Sequence, residues 1–561
     1  MRRFTGVLLG TLLVASCRSR PVTSPSGPSG ASGASATPTA PTPSPSATRD
    51  PIVPPPPRRG PATPARPAVS EVAPNPDREF RGVWVATVAN IDWPSSRTLT
   101  TEQQQQELRQ LLDRAAALRL NAVIFQVRPA ADALYQSAIE PWSVYLTGQQ
   151  GKAPDPFWDP LEFAVREAHQ RGMELHAWFN PYRAKQTGNT GPMARTHISR
   201  TNPALVKKYG EMLWMDPGEP AVRARTLRVV MDVVKRYDID GVHIDDYFYP
   251  YPETDRRRRE IPFPDDVSWR KYRKSGGTLT RDDWRRENVN LLVSALDEQI
   301  HKAKPWVKFG ISPFGIWRPG FPAQVRGFDS YDKLYADARK WLREGWVDYF
   351  SPQLYWPTTK VEQAYPTLLQ WWVSENVQSR HMWPGNFTSR AGGTGSGAFS
   401  VGELLEQIRV TRDQPGASGN VHFSMKSFLT NQAGMNDTLQ RGPYTSVALV
   451  PATTWLPQAA PPVPSIAVVD RPGASVIELG TYGKAAPWQW FVQFRTDTGW
   501  TSQLLPGSVG TVTLPATGVS KVTVRSINRV GVESPPISVA LPESASGTAP
   551  RNSSTGRSHV R

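Results

Sequence analysis

The chain has 561 residues, 55 of them Pro and 20 Trp, with a single Cys and a net charge of +16. With 39% apolar and 10% aromatic residues it can bury a sizeable core, which excludes a wholly disordered or collagen-like chain; one Cys excludes an internal disulfide framework and a Cys-rich zinc site. The positive charge suits nucleic acid, anionic lipid or an anionic wall polymer, and an ordinary basic surface accounts for it equally well.

Arg2 and Arg3 precede an apolar run over 6–15 that is too short to span a bilayer permanently and ends Leu13-Val14-Ala15-Ser16-Cys17. This ending resembles a bacterial lipobox, which implies removal of a signal peptide over 1–16 and lipid on the Cys17 thiol. That removal takes away Arg2 and Arg3 and leaves +14. The expectation is an exported protein of the cell envelope, soluble in body and lipid-anchored to a membrane, since acyl chains contribute about 0.8 kcal/mol per buried CH₂. Residues 17–77 are rich in Pro, Ser, Thr, Ala and Gly, including Pro54-Pro55-Pro56-Pro57. They lack the apolar residues that would offset the entropy of ordering and read as a disordered spacer.

From residue 78 short β-rich runs alternate with amphipathic stretches. Strands are predicted over 82–88, 122–127, 174–179, 241–245, 308–311, 348–351, 381–384 and 421–424. Helices are predicted over 101–118, 159–171, 221–237, 283–302, 331–344 and 401–413; in the first of them Leu108, Leu111, Leu112 and Ala115 recur at helical spacing. This alternation predicts an α/β fold, a (β/α)₈ TIM barrel over 78–457. A doubly wound open sheet is the alternative, but no Gly-rich phosphate fingerprint follows the first strand. After a Pro-rich linker at 461–464, alternating runs at 475–479, 488–495, 510–514 and 521–527 predict a small all-β sandwich over 458–543, then a disordered polar tail over 544–561. The run from Val522 to Ser534 resembles the last strands of a fibronectin type III domain.

Active sites of such barrels lie at the C-terminal ends of the strands. On the fourth strand, Asp240-Gly241-Val242-His243-Ile244-Asp245-Asp246 places His243 and Asp245 on one face and Val242 and Ile244 on the other. An inward carboxylate at a strand end is a poor structural choice unless it is paired or used, which favours Asp245 as a catalytic group over Asp246. Other strand ends supply Gln126, Arg128 and Asp132; His176, Asn180 and Tyr182; Trp317; Gln353, Tyr355 and Trp356. A cleft of such residues suits sugars, whose hydroxyls need directional partners and whose CH-rich faces stack on aromatics. His176, His243 and Asp245 are a weaker candidate zinc set, because no close ligand pair such as HExxH occurs. No GxSxG elbow is present, and no cofactor is called for.

Several ordered blocks resemble the glycosyl-hydrolase-like-10 family of bacterial envelope proteins. They include Arg81-Gly82-Val83-Trp84-Val85, Asp92-Trp93-Pro94, Gln126-Val127-Arg128-Pro129 and Ala177-Trp178-Phe179-Asn180-Pro181-Tyr182-Arg183. Asp245-Asp246-Tyr247-Phe248-Tyr249-Pro250, Arg285-Arg286-Glu287-Asn288-Val289-Asn290, Gly310-Ile311-Ser312-Pro313-Phe314-Gly315 and Ser351-Pro352-Gln353-Leu354-Tyr355-Trp356 continue the series. The resemblance spans about 78–428 and implies a (β/α)₈ glycoside hydrolase relative acting on peptidoglycan or a related glycan, not on nucleic acid, with Tyr247 among the sugar-binding residues. The Gly-x-His-x-Asp spacing at 241–245 also looks like the fourth-strand nucleophile motif of the α-amylase clan, with His243 where that clan usually has Arg.

A glycosidase needs two carboxyl groups, about 5–5.5 Å apart for retention or 6.5–9.5 Å for inversion. Asp245 is the expected nucleophile or base. The fifth strand offers no carboxylate at Ser312-Pro313-Phe314-Gly315, so the acid is sought among Asp132, Asp246, Glu140 and Asp337, with Asp132 and Asp246 ranked first. Two other classes remain open on the sequence: a non-catalytic wall-binding scaffold and a metal-dependent polysaccharide deacetylase.

Overall fold

The computed structural model describes residues 71–541 except 396, 472–473, 484 and 516–517. Cys17, the segment expected to be a signal peptide, most of the expected spacer and the polar tail lie outside the described residues.

Eight parallel strands form the barrel: β1 (Phe80–Val85), β2 (Ala122–Arg128), β3 (Glu174–Phe179), β4 (Gly241–Ile244), β5 (Lys308–Ile311), β6 (Tyr349–Phe350), β7 (His381–Met382 with Gly385–Asn386) and β8 (Gly419–His422). Each pairs with the next, and β8 returns to β1 with Phe80 opposite Gly419 and Val83 opposite His422. β7 is split around Trp383-Pro384, because Pro384 has no amide for the ladder. His381–Met382 pairs with β6, and Gly385–Asn386 pairs with β8.

Between strands run α1 (Thr101–Ala117), α2 (Pro160–Gln170), α3 (Pro220–Arg236), α4 (Arg281–Ala303), α5 (Ala338–Glu344), α6 (Tyr365–Glu375) and α7 (Val401–Asp413), with α8 (Met435–Arg441) after β8. Thr100 and Gln103 close a capping box at the start of α1, whose buried face includes Leu108, Leu111, Leu112 and Ala115. The helix expected over 331–344 is divided into Ser330–Lys333 and α5, with Tyr335 between them at φ +51°. Several elements are additional to those read from the sequence, two of them prominent. One is α6, which buries Tyr365, Leu368, Leu369 and Trp372 at i, i+3, i+4 and i+7 behind an N-terminal Pro366. The other is an antiparallel sheet of Arg183–Lys185, Val206–Tyr209 and Met212–Met215 inserted after β3.

The lumen is filled, not open. Phe80, Trp84, Ile124, Trp178, Tyr349, Trp383 and Val421 form its apolar cluster, separate from the larger layer between strands and helices. Phe80 stacks on Trp383 at 3.7 Å and 1°, and Trp383 on Tyr349 at 4.8 Å. Glycine is required where this filling presses on the wall: a Cβ at Gly310 would lie 2.1 Å from the Tyr349 ring, and one at Gly241 2.5 Å from the His176 imidazole.

A sandwich follows, with β9 (Pro464–Arg471), β10 (Ala474–Thr481) and β13 (Thr511–Thr513) in one antiparallel sheet. β12 (Gly499–Pro506), β11 (Gln489–Thr496), β14 (Val519–Ile527) and β15 (Ile537–Ala540) form the other, in that order. It packs on the N-terminal ends of the barrel strands. Gln489 Nε2 donates to the Gly172 carbonyl just before β3, and Arg529 pairs with Asp238 and Asp240 just before β4. Residues 71–77, assigned to the spacer by composition, also lie on the sandwich: Gln493 Nε2 donates to the Pro74 carbonyl, and Arg495 pairs with Glu71.

Candidate active site

A polar chain rises through the lumen to the site. At its base Lys308 donates to Glu174 at 2.8 Å with both groups buried; burial raises the Glu174 carboxyl, and Lys308 and His176 together lower it on balance. Glu174 meets His176 Nε2 at 2.9 Å, and Tyr349 Oη lies 2.9 Å from His176 Nδ1 and 3.0 Å from His243 Nδ1. Trp84 Nε1 donates to His243 Nε2 at 3.1 Å, and Ser312 Oγ lies 2.9 Å from the same nitrogen. Counting donors and acceptors assigns one arrangement. His176 gives its Nε2 proton to Glu174, Tyr349 gives its hydroxyl proton to His176, and His243 gives its Nδ1 proton to Tyr349. Burial, then the neighbouring His176, holds His243 well below the usual histidine range, so it is neutral.

Directly above His243, Asp245 enters the upper lumen. Trp178 Nε1 donates to its Oδ2 at 3.1 Å, Asn180 Nδ2 reaches both oxygens at 3.3 Å, and the Tyr247 amide donates at 3.4 Å. Only 3% of Asp245 is exposed; burial chiefly, and the charge of Asp246, push its carboxyl up to about 7 against the lowering pull of Arg183. Asp246, 5% exposed, accepts from the Tyr251 hydroxyl and bonds Gln353, whose amide also donates to the Ser312 carbonyl; burial raises this carboxyl as well. Arg183, anchored on the Pro129 carbonyl, lies over the Tyr247 ring at 4.9 Å and acts on both carboxylates. Half-buried aromatics surround the pair. Tyr247 meets Tyr251, Tyr251 meets Phe328, and Phe328 meets Phe314, while Tyr355 packs on Phe387. Such ring faces with polar groups beneath them are what a pyranose requires.

The sequence-derived residues therefore divide. Asp245, Asp246, Asn180, Tyr247, Gln353 and Tyr355 come together at the mouth, and the rest are placed elsewhere. Arg128 is wholly buried, with its guanidinium held by both Glu140 oxygens at 2.7 and 2.6 Å. It holds the wall and has no free face for substrate. Asp132 has no exposed surface and accepts from the Ala130 amide and Gln150, so it has no route to a leaving oxygen; burial raises its carboxyl. Tyr182 is core beneath the inserted sheet. His176 and His243 lie below the site with both ring nitrogens engaged, which removes the His₂-carboxylate zinc set from consideration. Trp317 packs among Trp371, Tyr331 and Phe321, and Trp356 is mostly buried against Phe314.

Sequence reasoning overlooked Trp178, Arg183 and Tyr251. Trp178 was legible, since it shares the inward face with Asn180 two residues on; Arg183 and Tyr251 arrive through loops that carry no periodicity. Asp92 was overlooked too, and burial pushes its carboxyl up to about 6. It accepts from the Ala86 amide, Ser424 Oγ and the Lys426 amide at 2.7–2.8 Å, so it clamps the loop after β1 to the loop after β8.

Buried carboxyl groups raised by burial and ringed by aromatics at the strand ends of a (β/α)₈ barrel are the features of a glycoside hydrolase site. The chain belongs to the glycosyl hydrolase-like 10 family, whose model matches residues 79–386. It is 42% identical over 404 residues to "Glycosyl hydrolase YngK" of Bacillus subtilis (strain 168), covering 70% of this chain and 78% of that protein. It is 38% identical over 335 residues to "Glycosyl hydrolase DigH" of Escherichia coli (strain K12), covering 56% and 73%. Among solved structures it is similar to the PgaB (BpsB) glycoside hydrolase domain from Bordetella bronchiseptica, with 13% identity, a TM-score of 0.42, and 65% of this chain and 98% of that one covered. By family and relatives, the chain is a glycoside hydrolase.

Proposed function

We propose that the protein hydrolyses the glycan strands of peptidoglycan in the cell envelope, with Asp245 and Asp246 as its catalytic pair. The observation that carries this reading is the pair itself: two adjacent, buried carboxyl groups under an aromatic rim, both raised by burial, Asp245 to about 7. Arg183 supplies positive charge beside them. Asn180 and Trp178 hold Asp245 in place, while Tyr247 and Tyr355 offer faces to sugar rings. The +14 remaining after loss of residues 1–16 suits an anionic wall polymer. The lipobox-like Leu13–Cys17 ending supports anchoring through a lipid on Cys17. The three-plus-four strand order supports a fibronectin type III-like sandwich, which braces the barrel at the end opposite the site. The test is release of new reducing ends from purified glycan strands, with and without stem peptides, by the full-length protein. Release supports the reading, whereas no release from either, with cleavage of some other polysaccharide, overturns the substrate.

A further inference from the structure

We propose that catalysis is completed by the 2-acetamido group of the substrate, not by a second strand-end carboxylate, so that the site is specific for N-acetylated amino sugars. This rests on Asp245 and Asp246 being the catalytic pair. The other carboxyl groups weighed as the acid, and Asp92, have partners or charges of their own. Glu140 gives both oxygens to Arg128, Asp132 has no surface, and Asp92 is held by three donors between the loops after β1 and β8. Asp337 precedes α5, where the charges acting on it are those of Lys340, Arg286 and Arg339. Asp246 is the carboxyl group coupled to Asp245.

Two enzyme carboxyl groups that act as acid and nucleophile, or as acid and base, must flank the scissile bond from opposite sides of the sugar. Consecutive residues have Cα atoms about 3.8 Å apart and leave the wall at one point, so they reach the ring from one side. One can protonate the leaving oxygen; the other has no path to the far face of C1. A neighbouring acetamido carbonyl reaches that face within the substrate itself, at the high effective concentration of an intramolecular group.

The surroundings assign the roles. Asp245 takes donors from Trp178, Asn180 and the Tyr247 amide, which oppose the burial that raises its carboxyl; of the pair's two one-proton forms, the one with Asp245 ionised is suited to accept the acetamido N–H. In that form Asp246, beside Tyr251 and Gln353, carries the proton and is the acid.

In the first step the acetamido oxygen bonds to C1 as the bond from C1 to the leaving oxygen breaks. Asp246 gives its proton to that oxygen, and the Asp245 carboxylate balances the oxazolinium charge through the amide N–H. Water then bonds to C1 and gives a proton to Asp246, and the ring reopens. One water is consumed, the anomeric configuration is retained, and both carboxyl groups return to their starting state.

The experiment compares purified glycan strands with the same strands after chemical N-deacetylation, using the full-length protein. In parallel, calorimetry follows binding of the thiazoline derived from N-acetylglucosamine to wild type, Asp245→Asn and Asp246→Asn. The expected results are cleavage slowed by about 100-fold or more on deacetylated strands and thiazoline binding weakened at least ~10-fold by Asp245→Asn, with Asp246→Asn largely retaining it. Cleavage of both strands at similar rates, or hydrolysis of native strands with no thiazoline binding, overturns the acetamido proposal and leaves the Asp pair standing. Undiminished hydrolysis by both Asn variants, or none by wild type on either strand, overturns the underlying reading and this inference with it.

Discussion

Burial and Asp246 together push the Asp245 carboxyl up to about 7, and two interacting carboxyl groups titrate as a pair. The active form holds one proton between them. The dependence of kcat/KM on pH is therefore expected to be bell-shaped, rising as the pair loses its first proton and falling as it loses the second, with one limb removed in Asp245→Asn. A profile flat from pH 4 to 9 would contradict this assignment. A second titration belongs to stability. Burial opposes the charge on His301, but bonds to Asp297 and Asp348 outweigh it and raise it to about 10. Its folded pKa exceeds the unfolded value of about 6.5, so its contribution is complete below that pH and lost as pH rises through 10. His301→Gln is expected to cost about 2 kcal/mol at pH 6 and progressively less toward pH 10, read from urea unfolding. At this scale the face of each side chain was legible in the sequence, and its depth was not. Period-two alternation put His243 and Asp245 on one face, yet whether a residue meets solvent depends on its height along the barrel axis. His176 and His243 sit low enough to be structural, while Asp245, one layer higher, reaches the mouth.

The strands were legible because each is a short apolar run, and the ends moved where packing intervened: β1 starts at Phe80, whose ring stacks on Trp383 across the lumen. The helix α6 carried its signal in Tyr365, Leu368, Leu369 and Trp372, obscured by the surrounding Trp371 and Pro366. The inserted antiparallel sheet was not legible, since its strands are three or four residues long and two of them have half-exposed sides. Gly310 belongs to this scale as well. A methyl group there meets the Tyr349 ring at 2.1 Å, so Gly310→Ala is expected to destabilise by about 1–3 kcal/mol and to lower the thermal midpoint. A second change, Tyr349→Leu, should recover part of that loss in a double-mutant cycle, and strict additivity would contradict the contact.

Across the whole molecule, function and support occupy opposite ends. The mouth carries Asp245 and Asp246, while the sandwich closes the other end through Arg529, which lies over Trp488 at 4.1 Å and pairs with Asp238 and the buried Asp240. Arg529→Ala would leave the Asp240 charge with less compensation, so a loss of about 3 kcal/mol in stability with kcat unchanged is expected. A fall in kcat without a fall in stability would instead place the sandwich in catalysis. Among the described residues, the Pro-rich stretch at 461–464 runs directly into β9 at Pro464, while residues 71–77 lie on the sandwich despite their spacer-like sequence. Contacts made by Glu71 and Pro74 through single side chains and carbonyls leave no compositional trace.

The most direct measurement is the turnover of purified glycan strands by wild type, Asp245→Asn and Asp246→Asn, each checked for an unchanged thermal midpoint. Each substitution is expected to lower kcat by about 10²–10⁴-fold while strands still bind. Turnover within threefold of wild type in both variants would contradict the central claim that this pair does the chemistry.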